Sequence, residues 1–290
     1  MVRMLRNRDI VDIETGEALT NVTVTTERDR QNYKKVLEAK QKYELQGVEI
    51  QKQYKKYGSF VWLLYNAGQV LDLGIQPDEL TKLIYISTYM GYNNRLMVSE
   101  DESMTKKQIR EILRVSEDTF HKFYISLTNT GILSENIDKC LYLNTSIFRR
   151  GAIKDVKDID CNRTRLYIKS IRSLYMQAKI SEHKLLSYLF QAIPFVNVNY
   201  NILCFNPLEN DLQKVRPMIM KDFCVIIGYS QDNDRRLKTK LKGLKLQQLP
   251  VFSFVDNADG LFCYINPNVY YAGNKWEEVK VLGRFQKENT

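Results

Sequence analysis

Histidine is scarce: His121 and His183 are the only two in 290 residues, and they stand far apart. The chain has no Cys-x-x-Cys and no His-x-x-x-His pair. A zinc site therefore lacks its ligand spacing. The five cysteines (Cys140, Cys161, Cys204, Cys224, Cys263) are odd in number and widely spaced. That pattern fits reduced, mostly buried thiols in a cytosol and not a disulfide framework. No apolar run approaches the roughly twenty residues that a membrane span needs. The N-terminus carries no continuous apolar leader. A cytoplasmic setting without a membrane partner is the expectation. A phosphate-cradling G-x-x-x-x-G-K-[ST] loop is missing, so no nucleotide-driven motor is indicated. Asp155, Asp158 and Asp160 beside Lys157 come nearest to a metal-nuclease cluster. At a helix start such carboxylates more often serve the helix dipole. These absences lead to the expectation of a non-enzyme with no catalytic residue, no metal and no cofactor.

Acid is also short relative to base. There are 43 Lys and Arg against 34 Asp and Glu, a net charge of +9. A basic surface suits a polyanion, either nucleic acid or an anionic membrane face. At 290 residues, 44% of them hydrophobic, the chain is long enough for two domains with cores.

The chain is organised around Met104 to Leu133. Ile109, Ile112 and Leu113 recur at helical spacing, and Val115-Ser116 breaks the pattern. The Ser116 hydroxyl can accept from backbone N–H groups of a following helix. Phe120, Phe123, Tyr124 and Leu127 then share a second helical face, and Gly131 ends it. Ile132 to Glu135 and Cys140 to Leu143 read as two short strands around Asn136-Ile137-Asp138-Lys139. Helix, turn, helix and hairpin in this order predict a wing behind a recognition helix. Two amphipathic helices in an ordinary core are the plainer alternative.

Ser116 to Leu133 resembles the winged-helix pattern of MarR-like and related bacterial regulators, with Ser116, Thr119, Phe120, Leu127, Gly131 and Ile132 at its intervals. That resemblance implies duplex DNA as partner. A recognition helix reads base edges mostly with its N-terminal half. Thr119, His121 and Lys122 are the base-reading candidates here, with Lys106, Lys107 and Lys139 for the backbone.

The second half echoes the first. TKLIYISTYM from Thr81 aligns with KLLSYLFQAI from Lys184, and Asn94-Arg95-Leu96-Met97 with Asn201-Ile202-Leu203-Cys204. Met104 aligns with Met218, Ser116 with Ser230, Tyr142-Leu143-Asn144 with Tyr264-Ile265-Asn266, and Gly151 with Gly273. The repeat predicts a second helix-turn-helix over Met218 to Leu241, with Gly228-Tyr229-Ser230 as its turn. Its wing would join Val251 to Val255 with Leu261 to Ile265 around Asp256 to Gly260. Asn233, Arg235 and Arg236 are its base-reading candidates. Lys238, Lys240, Lys242 and Lys245 are its backbone candidates.

The expected fold is α+β and mainly helical, with two winged-helix domains joined by a connector helix. Residues 1–58 form an arm and charged helix, 59–153 the first domain, and 154–180 a basic connector helix. Residues 181–274 form the second domain and 275–290 a tail. Across residues 78–273 this architecture resembles plasmid and phage replication initiators. The resemblance implies sequence-specific binding to double-stranded DNA as an initiator. A transcription regulator of a mobile element stands beside it, as does a winged-helix scaffold for protein in replisome assembly or segregation. A homodimer and host replication or transcription proteins are the further partners.

Overall fold

The computed structural model describes residues 10–11, 18–19, 27–38, 58–151, 161–258 and 260–273. Met1–Gln51 and Lys52–Thr290 are distinct units. In the first, β1 (Ile10–Val11) pairs antiparallel with β2 (Ala18–Leu19). Residues 27–38 form a largely exposed helix, α1. The cluster Asp155, Asp158 and Asp160 and the tail 275–290 lie outside the described residues.

The second unit is built on the chain's most apolar short run, Phe60–Tyr65 (β3). Its partner is β7 (Asn162–Tyr167), antiparallel from Phe60↔Tyr167 to Tyr65↔Asn162. Two short strands, β6 (Phe148–Arg149) and β12 (Tyr270–Tyr271), complete a four-stranded sheet in the order β12-β7-β3-β6. The connector helix expected over 154–180 is corrected here. Residues 162–167 are a strand, and α5 (Ile168–Gln177) is the only α-helix within that range among the described residues. Leu166 and Tyr167 satisfy a helical face and a strand face alike. The unpaired backbone groups of β3 decide between them, because a buried strand must find a hydrogen-bonding neighbour.

The halves anticipated over 59–153 and 181–274 share this sheet and follow one plan. The first runs through α2 (Pro77–Ser87), α3 (Lys106–Leu113), α4 (Glu117–Asn129) and the hairpin β4 (Leu133–Glu135) and β5 (Leu141–Leu143). The second runs through α6 (His183–Gln191), α7 (Met220–Ile226) and α8 (Asp234–Lys242). A small ladder of β8 (Lys245–Leu246) with β9 (Leu249–Pro250) comes next, then the hairpin β10 (Phe252–Asn257) and β11 (Gly260–Ile265).

Hydrogen bonds repeat at the aligned positions, except that Val196, three residues past the aligned Ile193, takes the place of Met90. Bridges Met90↔Leu96, Arg95↔Tyr142 and Met97↔Ser103 recur as Val196↔Leu203, Ile202↔Tyr264 and Cys204↔Pro217. Asn94 and Asn201 are both buried, at φ 60° and 50°. Asn94 Nδ2 donates to the carbonyls of Leu143 (3.2 Å) and Phe148 (2.6 Å). Asn201 Nδ2 donates to those of Ile265 (3.2 Å) and Tyr270 (3.3 Å). In each half one amide thus ties the hairpin to the edge strand of the sheet. Asparagine suits both demands, because it tolerates left-handed backbone and carries two amide protons. At the sheet centre Trp62 Nε1 donates to the Gly151 carbonyl (3.1 Å), and Arg165 Nη1 to that of Gly273 (3.0 Å).

Helices α2 and α6 pack together. Thr81 Oγ1 donates to the His183 carbonyl at 2.7 Å. The buried His183 ring lies 4.5 Å from that of Tyr175. Burial first, and then the Lys82 charge, pull its pKa below 6.5, against Asp78 and Glu182.

Two predictions follow from this packing. Asn94→Ala and Asn201→Ala should each cost about 3 kcal/mol, from two buried carbonyls stripped of a donor and a strained φ. Asn94→Gly should cost less, because it relieves the backbone alone. Denaturant midpoints would measure this, and an alanine loss under about 0.5 kcal/mol, within the range of an ordinary surface change, would refute the tie. His183 predicts an acid slope. Above pH 6.5 it is neutral in folded and unfolded chains alike. As pH falls below that value the unfolded chain takes up the proton first, so stability drops and levels off below the lower, folded pKa. His183→Phe should shrink the stability difference between about pH 7.5 and 5.5. A difference of unchanged size would rule His183 out as its source.

Candidate nucleic-acid interface

In the first half a tight turn separates two amphipathic helices. Thr105 caps α3, its hydroxyl accepting from the Gln108 N–H at 3.2 Å. Arg114 closes α3 at φ 56°. Ser116 caps α4 by accepting from the Thr119 N–H at 3.3 Å. Phe120, Phe123 and Leu127 face the core. His121 and Lys122 are therefore exposed on the opposite face, as is Thr119 at its start. The Thr119 hydroxyl is 2.9 Å from that of Ser116, so of the three reading candidates it is the one already engaged.

The second half places its candidates at matching positions. Leu237 and Leu241 are the buried counterparts of Phe123 and Leu127. Counting back from them sets Asn233 against Thr119, Arg235 against His121 and Arg236 against Lys122. All three are exposed. A 3-10 turn, Gln231–Asn233, leads into α8, so Asn233 stands at the junction.

The backbone candidates divide into two groups. Lys107, Lys139, Lys240, Lys242 and Lys245 are exposed. Lys139 stands at the tip of the first hairpin with φ 59°. Lys240 lies 6.0 Å from the centre of the Tyr229 ring. Lys106 and Lys238 are instead held by carboxylates of the hairpins. Lys106 Nζ is 2.6 Å from Glu135 and sits 4.4 Å over the Tyr124 ring. The Tyr124 hydroxyl donates to Glu135 at 2.8 Å. Lys238 Nζ is 3.2 Å from Asp256. By the same count Tyr124 and Lys238 occupy one helix position, so each half moors its hairpin to its second helix from the same place. The contact with Lys106 holds the Glu135 carboxyl below its usual range, with Tyr124 adding to it, and Glu135 raises Lys106 in return.

One cationic feature escaped the sequence reading. Tyr89, Tyr92, Arg95, Arg150, Lys169 and Arg172 line an open cleft of about 1000 Å³. Arg172 donates to the Thr88 carbonyl (2.9 Å) and hydroxyl (3.0 Å) and stacks on Tyr89 at 3.8 Å. Arg150 donates to the Met90 carbonyl at 2.5 Å. The only sequence signal was the row of arginines in the stretch read as a connector helix. Arg165 of that row is buried, 4.8 Å over the Trp62 ring.

Among the described residues no group of three or more His, Cys, Asp and Glu side chains could hold a metal ion. None of their helices is long and apolar enough to cross a membrane. Comparison of the chain with protein-family models, with curated proteins and with solved structures finds no match.

Carboxyl-detected NMR offers a test of the mooring. The Glu135 midpoint should lie below 4.5 and return toward it in Lys106→Ala. A midpoint indifferent to that substitution would break the link.

Proposed function

We propose that the chain binds duplex DNA through two winged-helix units, each a helix-turn-helix followed by its hairpin. One observation carries the reading. Two units with matching internal hydrogen bonds expose the same three positions around the start of their second helix, Thr119, His121 and Lys122 in one and Asn233, Arg235 and Arg236 in the other. The early residues of such a helix approach base edges in the major groove. Arg binds guanine O6 and N7 in two-pronged fashion, and Asn does the same for adenine. Lys107, Lys139, Lys240, Lys242 and Lys245 then contact phosphates, which position the protein without specifying sequence. In this reading the second unit supplies more of the salt-dependent affinity, because its helix displays more unpaired cations. The acidic tip of the second hairpin stays off the phosphates, with Asp256 directed to Lys238. By architectural resemblance the role is initiation of replication of a plasmid or phage in the cytoplasm.

Affinity for duplex DNA should fall about a thousandfold or more between 50 and 200 mM salt, given six to ten phosphate contacts. Affinity that holds over that range would sink the reading. Replacing His121, Lys122, Arg235 or Arg236 by Ala should cost roughly 1–3 kcal/mol on the specific site and less on random DNA. Replacing Lys240 or Lys242 should weaken all duplexes alike and flatten the salt slope by about one unit each. For the role, DNA carrying the gene and its flanks should replicate autonomously in a host. A regulator alone would not confer this.

A further inference from the structure

The cationic cleft of the first half takes no part in the proposed DNA contacts, and the second half does not repeat it. By the aligned order Tyr89, Arg95 and Arg150 correspond to Ala192, Ile202 and Ala272. The frame that the halves share therefore does not need these side chains. Arg95, Arg150, Lys169 and Arg172 bring four positive charges to the cleft, and Glu100 is the one carboxylate among the described residues that line it. Elsewhere Lys82, Lys106, Arg110, Lys214 and Lys238 each meet a carboxylate. Among the described residues the four cations of the cleft meet none.

A guanidinium carries five N–H donors. Arg172 gives two of its five to Thr88, and Arg150 gives one to Met90. Arg95 reaches only the sulfurs of Met97 (3.1 Å) and Cys140 (4.0 Å), which accept weakly. The three groups are thus anchored by the protein and keep most of their donors for another partner. Gathered like charges repel, so the arrangement favours a ligand that brings several anionic oxygens. Beside them Tyr92 is 75% exposed, yet its ring is held in place. The Arg150 guanidinium lies 5.2 Å from its centre. On the backbone of Gly151, at φ 95°, a Cβ would come within 2.9 Å of the ring. A fixed, exposed aromatic ring beside guanidiniums is a platform on which a nucleobase stacks.

We propose that the cleft binds one free nucleoside triphosphate, its base on Tyr92 and its phosphates among Arg95, Arg150, Lys169 and Arg172. The volume, about 1000 Å³, is that of a small-molecule site. A single strand spaces its charges along its length, one per nucleotide. Here the cations gather in one cleft, as a triphosphate chain requires. They neutralise that chain themselves, so binding does not need a divalent metal.

Calorimetric titration of the full chain with ATP and GTP, in EDTA and at physiological salt, tests this. The expected outcome is one nucleotide per chain. Arg95→Gln and Arg150→Gln should each weaken it about tenfold, and the two together about a hundredfold. Lys169→Gln should also weaken it, and the exposed Lys169 side chain leaves the fold little to lose. Tyr92→Ala should weaken ATP about fivefold or more but leave inorganic triphosphate unchanged, because only the nucleotide has a base to stack. Circular dichroism that matches the parent chain separates loss of binding from loss of fold. Inorganic triphosphate that binds as tightly as ATP, with Tyr92→Ala indifferent, would reduce the cleft to a charged patch and overturn the proposal. A short single-stranded oligonucleotide that binds the same residues far more tightly than ATP would make the cleft a strand channel and overturn it too. Absence of binding, or binding indifferent to every cleft variant, would overturn it outright. Each of these results leaves the duplex-binding reading intact, because that reading uses other residues.

Discussion

The pairing of Phe60–Tyr65 with Asn162–Tyr167 is the constraint on which the rest depends. Either strand with its own edge partner would make a two-stranded ladder only two residue pairs long. Ribbons of that size are marginal in water. Joined, they form a four-stranded sheet with Val61, Leu63 and Leu166 fully buried. The sheet also decides where charge is allowed inside. Arg165 is buried beside Trp62, and its guanidinium both donates to the Gly273 carbonyl and lies over the indole face. Burial lowers its pKa, yet arginine keeps its proton far above neutrality, so the charge stays and must be matched by oxygen and aromatic neighbours.

Where the sequence was legible, the signal was local. Ser116 as a cap, Phe123 and Leu127 as a buried stripe and the hairpin turn after Gly131 each follow from a few consecutive residues. The repeat was legible because its anchors are chemically demanding. Asn94 and Asn201 must combine positive φ with two amide donors, and few side chains do both. These positions therefore stand out at low identity. The central sheet was not legible, because β7 is specified by β3, a partner about a hundred residues away. Its own residues are compatible with a helix, and the alternation that marks a half-exposed strand is absent from a strand buried on both faces. The ties of Lys106 to Glu135 and Lys238 to Asp256 were hidden for the same reason. They moor the hairpins through two of the residues expected at the DNA backbone, and no spacing rule in either helix announces them.

The two halves separate frame from surface. Leu237 and Leu241 replace Phe123 and Leu127 in the core, and the bonds of the frame persist. On the exposed face Thr, His and Lys have become Asn, Arg and Arg, and the second hairpin is twice as long. A core position is bound to its neighbours on every side, so change there must be matched by others. An exposed position early in a helix answers only to whatever it touches. Divergence concentrated there is what the DNA-binding role proposed above requires of two units on one scaffold.

Fusion through a sheet also differs physically from dimerisation through a surface. A homodimer's integrity falls with dilution, because mass action sets the share of assembled pairs. Its two readers are identical and bind either way round. In this chain the second unit is covalently present at any concentration, and the β3–β7 pairing joins it to the first through a sheet instead of a linker whose reach would vary. The repeated plan of a dimer's two copies is kept, while the sequence identity that a dimer enforces is released. Separate tuning of the two surfaces then becomes available without any cost to the bonds of the frame.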